Sequence, residues 1–307
     1  MKSLAPIILF VYNRPWHTLQ TLEALSKNTL AKESILYIYS DAAKEESQID
    51  KVCEVREVIK SKQWCIEVKI IERQTNFGLA SNVIEGVTEI VNQYGKIIVL
   101  EDDLVTSPYF LEYCNDGLEI YHNEKSVYSI NGYQFPLGIN KSDTFLCPLA
   151  TSSWGWATWA DRWSAFEIEL KYRNVIRKNR FLTQRFNLAD YDYTNMLGNE
   201  KSWAIRWYYS VFVRNGLGLF PTQSLVKNIG FDGKGENYTS DLSNDFNQNI
   251  TNLKIVVIKK HTINFKYYEI ILNYFTHKKR TDNPSVINLI GQDIKKYFKL
   301  IFARKNI

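Results

Sequence analysis

The sequence predicts an α/β fold: a mostly parallel sheet flanked by helices, a more elaborate second half and a C-terminal helical tail. Three observations point there. Short apolar runs fall at 6–12, 35–39 and 96–100, and an alternating one at 66–70; such runs suit strands buried in a parallel sheet. The stretches between them repeat apolar residues at helical spacing. Polar residues stand at the end of every run. Regular alternation of strand and helix gives parallel strands covered by helices, and such sheets bind ligands beyond the carboxyl ends of their strands.

Taken in order, 6–12 is the first strand, ending at Asn13-Arg14-Pro15. Pro15 suits a first helical turn, Trp16, Leu19, Leu22 and Leu25 recur near helical spacing, and Asn28 is a stop signal. The second strand, 35–39, ends in Ser40-Asp41, and Val52, Val55, Val58 and Ile59 mark a second helix. Ile66, Val68 and Ile70 give a third strand, ending near Arg73. Asn76 to Ala80 is a loop entering a third helix, whose apolar face carries Val83, Val87, Ile90, Val91 and Tyr94. The fourth strand, 96–100, runs into Glu101-Asp102-Asp103. Residues 105–125 read as a helix with its approach, and 127–133 as a strand and turn; after that the alternation is lost.

Length and composition bound the class. The 307 residues, 45% hydrophobic with seven prolines, make a globular chain of one large or two modest domains. Cys53, Cys65, Cys114 and Cys147 are scattered without Cys-x-x-Cys pairing, so neither a zinc motif nor a disulfide framework is expected. The first residues lead straight into a strand, with no secretory pattern, and no apolar run approaches the ~20 residues of a membrane span. A cytoplasmic location is therefore expected, and Asn140, Asn237 and Asn249 carry no glycosylation meaning. The net charge of +5 is too mild to argue for nucleic acid. A Gly-x-Gly-x-x-Gly after the first strand and a Gly-x-x-x-x-Gly-Lys-Ser/Thr are both absent, which argues against a dinucleotide enzyme and a P-loop nucleotidase.

Three adjacent carboxylates at a strand end repel one another and lose solvation. A solvated acidic loop is the plain explanation; a divalent metal is the other. Asn13 and Arg14, Asp41, Arg73 and Asn76 stand at the ends of the first three strands, so four loops offer cations, amides and carboxylates at one edge. That set suits a nucleoside diphosphate. The run 6–15, the Ser40-Asp41 turn, Arg73-Gln-Thr-Asn-Phe-Gly-Leu-Ala80 and Glu101-Asp-Asp-Leu104 together resemble a GT-A-fold (Rossmann-like) nucleotide-sugar glycosyltransferase. The likeness is to bacterial family-2-like sugar transferases and the N-acetylglucosaminyltransferase I family. It implies Asp103 as ligand of Mn2+ (or Mg2+), Glu101 and Asp102 orienting donor sugar and ribose, Arg14 on the phosphates and Asp41 on the base, with a UDP-sugar the leading donor.

In the second half, Trp154, Trp156, Trp159 and Trp163 fall within ten residues. A core cluster packing one helix is one reading. The other assigns Trp154, Gly155 and Trp156 to the donor-sugar and acceptor pocket, with Gly155 admitting a ligand and Trp faces stacking on sugar. From Lys171 to Leu188 there are six basic residues and no acid, a solvated face or a surface for an acidic lipid or phosphate-bearing acceptor. The resemblance places an Asp-Asp pair where this chain has Ala204 and Ile205, so the base that inversion requires falls to Glu200 or Asp232. Residues 228–237 would form a lid.

The divisions expected are a nucleotide-sugar-binding half (1–134), an acceptor-binding half of the same domain (135–260) and a basic tail (261–307). In the tail, Ile294, Tyr297, Phe298 and Ile301 make an amphipathic face between lysines, either docked on the protein or on the inner face of the plasma membrane. The function expected is metal-dependent, inverting sugar transfer to a hydroxyl of a glycan or lipid-linked acceptor in bacterial surface polysaccharide or lipopolysaccharide synthesis. The rivals are a sugar nucleotidyltransferase and a non-catalytic carbohydrate-binding protein.

Overall fold

Ile-Ile-Leu-Phe-Val is apolar at every position, and the computed structural model buries all five residues as the central strand β1 (Ile7–Val11). The structure describes residues 3–199, 202–231, 246 and 249–276. Pro15 opens α1 (Pro15–Ser26) as expected of a residue that fixes φ and lacks an N–H. There follow β2 (Ile35–Ser40), α2 (Ile49–Lys60), β3 (Glu67–Glu72), α3 (Leu79–Tyr94) and β4 (Lys96–Glu101). Strand β1 pairs in parallel with β2 and β4, and β2 with β3. The alternation read from the sequence is thus the architecture of this half. Helix α3 ends at Gly95, whose φ of +77° lets its amide close on Val91 O at 2.7 Å before β4 begins.

The rest of the chain extends the same sheet. It supplies β5 (Leu104–Thr106), α4 (Phe110–Ile120), β6 (Val127–Asn131), β7 (Thr144–Cys147), β8 (Trp156–Trp159), α5 (Ala160–Trp163), α6 (Arg173–Lys178), α7 (Arg180–Phe186), α8 (Tyr193–Met196), α9 (Trp203–Phe212), β9 (Leu217–Pro221), β10 (Val226–Asn228) and α10 (Phe265–Thr276). The sheet order is β3-β2-β1-β4-β8-β6-β9-β7. Pairs β4–β8, β8–β6 and β9–β7 are antiparallel and β6–β9 is parallel, so parallel pairs predominate. Val105 and Thr106, read as the approach to a helix, instead join Leu104 in pairing antiparallel with β10 in a separate two-stranded sheet.

The tryptophan-rich stretch runs from strand β8 into helix α5. In β8, Trp156 and Trp159 are almost fully buried. Trp156 lies 5.7 Å from Trp203 at 24° and within 6 Å of Trp163 and Trp207. Aromatic pairs at such separations add packing energy to the burial of their large surfaces. This cluster joins the sheet to α5 and α9. Of the expected tail, 261–307, residues 265–276 form α10, and 277–307 lie outside the described residues. Among those described, no helix is long and apolar enough to cross a membrane.

Candidate active site

The register fixes where the polar loops meet. Phe10 pairs with Glu101 across β1 and β4, so Arg14, beyond the end of β1, stands beside the acids beyond the end of β4. Arg14 Nη1 donates to Asp103 Oδ2 at 2.9 Å and lies 3.7 Å from Asp102 Oδ1. All three side chains keep some exposure, 18% for Arg14 and Asp103 and 13% for Asp102. Helix α1 holds both sides: Thr21 Oγ1 donates to the Asp102 carbonyl at 2.8 Å, and the Thr18 amide and hydroxyl both donate to the Arg14 carbonyl.

Asp102 and Asp103 face this guanidinium, and Glu101 feels its charge. Burial, then the charges of Asp103 and Asp102, push the Glu101 carboxyl well above the ordinary range, with Arg14 opposing. Burial first and Asp103 second push Asp102 up to about 7, against Arg14 and the Tyr12 amide. Arg14 therefore does not fully offset the burial and mutual repulsion of these carboxylates. Hard oxygen donors with excess charge suit Mg2+ or Mn2+. Among the described residues no three His, Cys, Asp or Glu side chains form a metal cage. A cation held by one or two carboxylates and completed by phosphate oxygens needs no such cage, and Asp103 with Asp102 fits that pattern.

The loop after β10 lies against one side of the cluster; of the lid expected over 228–237, residues 232–237 lie outside the described residues. Asn228 pairs with Leu104, the Ile229 amide donates to the Asp103 carbonyl at 2.9 Å, and the Gly230 amide donates to Asn228 Oδ1 at 2.7 Å. A Cβ on Gly230 would stand 2.1 Å from Asp103 Oδ2, so any larger residue would push this carboxylate aside. The signal available in sequence was the Asn-x-Gly spacing, which marks a tight turn.

Asp41 and Asn76 have structural work. Asp41, 4% exposed, accepts from the amides of Ala42, Phe77 and Gly78, each at 2.9 Å, and from Asn76 Nδ2 at 3.2 Å. Asn76 Nδ2 also donates to the Ala42 carbonyl at 2.7 Å. Four donors use up the carboxylate, so in place of the expected contact with a base, Asp41 binds the loop after β3 to the loop after β2. Arg73 is packed likewise. Its guanidinium lies 4.2 Å from the Phe77 ring centroid and 5.2 Å from that of Tyr39, and its Nε donates to Asn82 Oδ1 at 3.1 Å. The half-buried Phe77 ring is thus a packing partner of Arg73, a contact sequence reasoning missed. Asn13 lies partly exposed beside Arg14.

The aromatic stretch divides. Trp154 is half-buried and makes edge contacts with Tyr133 at 4.5 Å and Phe231 at 5.5 Å. Phe231 follows Gly230, so Trp154 borders the acid cluster. Trp156 does not: it is 0% exposed and faces the tryptophan core, which corrects its assignment to a sugar pocket. Gly155 is explained by packing, not by a ligand. Its φ is +68°, and a Cβ there would come within 2.8 Å of Val226 Cγ2. Glu200 and Asp232 lie outside the described residues.

No family model matches this chain, and no curated protein aligns with its sequence. Solved structures do superpose in part. One is TarS 1–349 of S. aureus, at TM-score 0.41 and 10% identity, covering 73% of this chain and 60% of that one. A second is the mannosyltransferase PcManGT from Pyrobaculum calidifontis in complex with GDP-Man and Mn2+, at 0.35 and 11%, covering 64% and 52%. A third is a UDP-glucose pyrophosphorylase complexed with UDP-glucose, at 0.37 and 9%, covering 71% and 90%. The chain thus spans little more than half the length of the first two. With identities this low, its chemistry is read from its own residues.

Proposed function

We propose that this chain is a glycosyltransferase that moves a sugar from a nucleoside diphosphate to a hydroxyl acceptor, with a divalent cation at Asp103 and Asp102. The observation that carries the reading is the meeting of Asp102 and Asp103 with Arg14 beyond the carboxyl ends of β1 and β4. Bound Mn2+ or Mg2+ would supply charge neutralisation on the leaving diphosphate. Arg14 is placed to turn from Asp103 to a phosphate oxygen, where a guanidinium makes paired hydrogen bonds. Gly230 lets the loop after β10 lie against Asp103, and Trp154 and Phe231 offer ring faces beside it for sugar. A UDP-sugar donor, inversion, a glycan or lipid-linked acceptor of bacterial surface polysaccharide synthesis, and a peripheral place at the inner membrane face through the tail complete the proposal. Glu200 and Asp232 are its candidates for the carboxylate that accepts the hydroxyl proton.

A nucleotidyltransferase is disfavoured by the connection from β1 to α1. It consists of Tyr12, Asn13 and Arg14, without glycine and too short to wrap a triphosphate in backbone amides. The test is transfer and donor hydrolysis across a panel of nucleotide sugars with Mn2+, in wild type and Asp103→Asn. The reading expects a loss of about a hundredfold or more in the variant. Equal turnover would refute it, and pyrophosphate release from sugar phosphate plus nucleoside triphosphate would favour the rival.

A further inference from the structure

We infer that the surface formed by residues 168–180 docks the protein onto an anionic lipid surface. Three large apolar side chains point outward here within eight residues: Ile168 is 65% exposed, Tyr172 57% and Val175 53%. A soluble surface seldom clusters such side chains without a partner. Around them stand Lys171, Arg173, Lys178 and Arg180, all exposed. None of the four makes an ion pair among the described residues, whereas the other two bases of this stretch are engaged. Arg177 donates to the carbonyls of Thr194 and Asn195, and Arg185 donates to Asn215 Oδ1 and lies over the Phe212 ring. The stretch 170–189 holds no acid; Glu169, exposed, sits at its rim.

The platform is built, not loose. Ile176, 2% exposed, anchors α6 in the core. The Tyr172 amide donates to Tyr209 OH of α9 at 2.8 Å, and Thr183 Oγ1 donates to the Ile176 carbonyl at 2.7 Å. Apolar side chains ringed by unpaired cations match the charge and polarity of an anionic bilayer surface, where aliphatic groups enter the interface and lysines and arginines stay at headgroup level. Nucleic acid would match the cations but leave Ile168 and Val175 in water.

The full chain is sedimented with vesicles of phosphatidylcholine alone and of phosphatidylcholine mixed with phosphatidylglycerol, without donor, so failure of the transferase reading leaves the result unchanged. Binding to the mixed vesicles only is expected. The triple variant Lys171→Ala, Arg173→Ala, Lys178→Ala should bind about a hundredfold more weakly. Ile168→Ser with Val175→Ser should bind more weakly even at high salt, where charge attraction is screened. Unaltered thermal unfolding checks that both variants fold. The inference is overturned if the triple variant sediments like wild type, which would place binding elsewhere, 277–307 included. It is equally overturned if wild type ignores both vesicles. Soluble polyglutamate bound as tightly as the vesicles, with no loss in the serine variant, would assign the surface to an acidic protein instead.

Discussion

Asp102 shows how this site trades stability for charge. Its carboxyl ordinarily titrates at 3.8 and is pushed up to about 7 in the fold. A folded-state value above the unfolded one means the fold disfavours the charged form. Stability is therefore lost as pH rises from about 4 to about 7, and stays lost above that. Asp102→Asn removes the penalty, so the metal-free variant should be more stable than wild type at pH 8 by about 1–3 kcal/mol, with the gain shrinking towards pH 4. Thermal scans at several pH values check this; a gain that grows on acidification would contradict it. Gly230→Ala tests the other wall. The methyl group would press on Asp103 Oδ2, and nucleotide binding with Mn2+ should weaken about tenfold with little change in unfolding. Calorimetry on the variant measures it.

At the scale of elements, β8 holds the second half to the first, pairing Lys96 with Trp159 and Ile130 with Ala157. Trp156→Ala would open a cavity beside three other tryptophans and should cost about 3–5 kcal/mol. Trp154→Ala, at the rim, should change the unfolding midpoint far less and lower transfer instead. Denaturant unfolding with rate measurements on both variants separates core from site; equal destabilisation would erase the distinction. This contrast also marks what the sequence made legible. β1, β2 and β4 were readable because unbroken apolar runs leave few alternatives to a doubly covered strand. β8 was not, because Trp-Ala-Thr-Trp is short and its partners are tens of residues away in the chain. Residue type alone also left open which tryptophan turns inward. Three-residue β5 gave no periodicity to detect.

For the molecule as a whole, the parallel half sets the site and the antiparallel half walls it. The ends of β1 to β4 bring Arg14, Asp41, Arg73, Asn76 and the acid triplet to one edge, which alternation and strand ends disclosed. The division of labour among them was not disclosed. Asp41 and Asn76 look like ligand contacts until their hydrogen bonds are counted, and Gly230 gains meaning only when the chain returns to Asp103 more than a hundred residues later. The central claim is that Asp103 and a divalent cation together hold a diphosphate, and calorimetric titration of UDP into the protein tests it most directly. The account predicts binding with Mn2+, its loss with a chelator, and its loss in Asp103→Asn even with Mn2+ present. UDP bound with the same affinity in all three cases would contradict it.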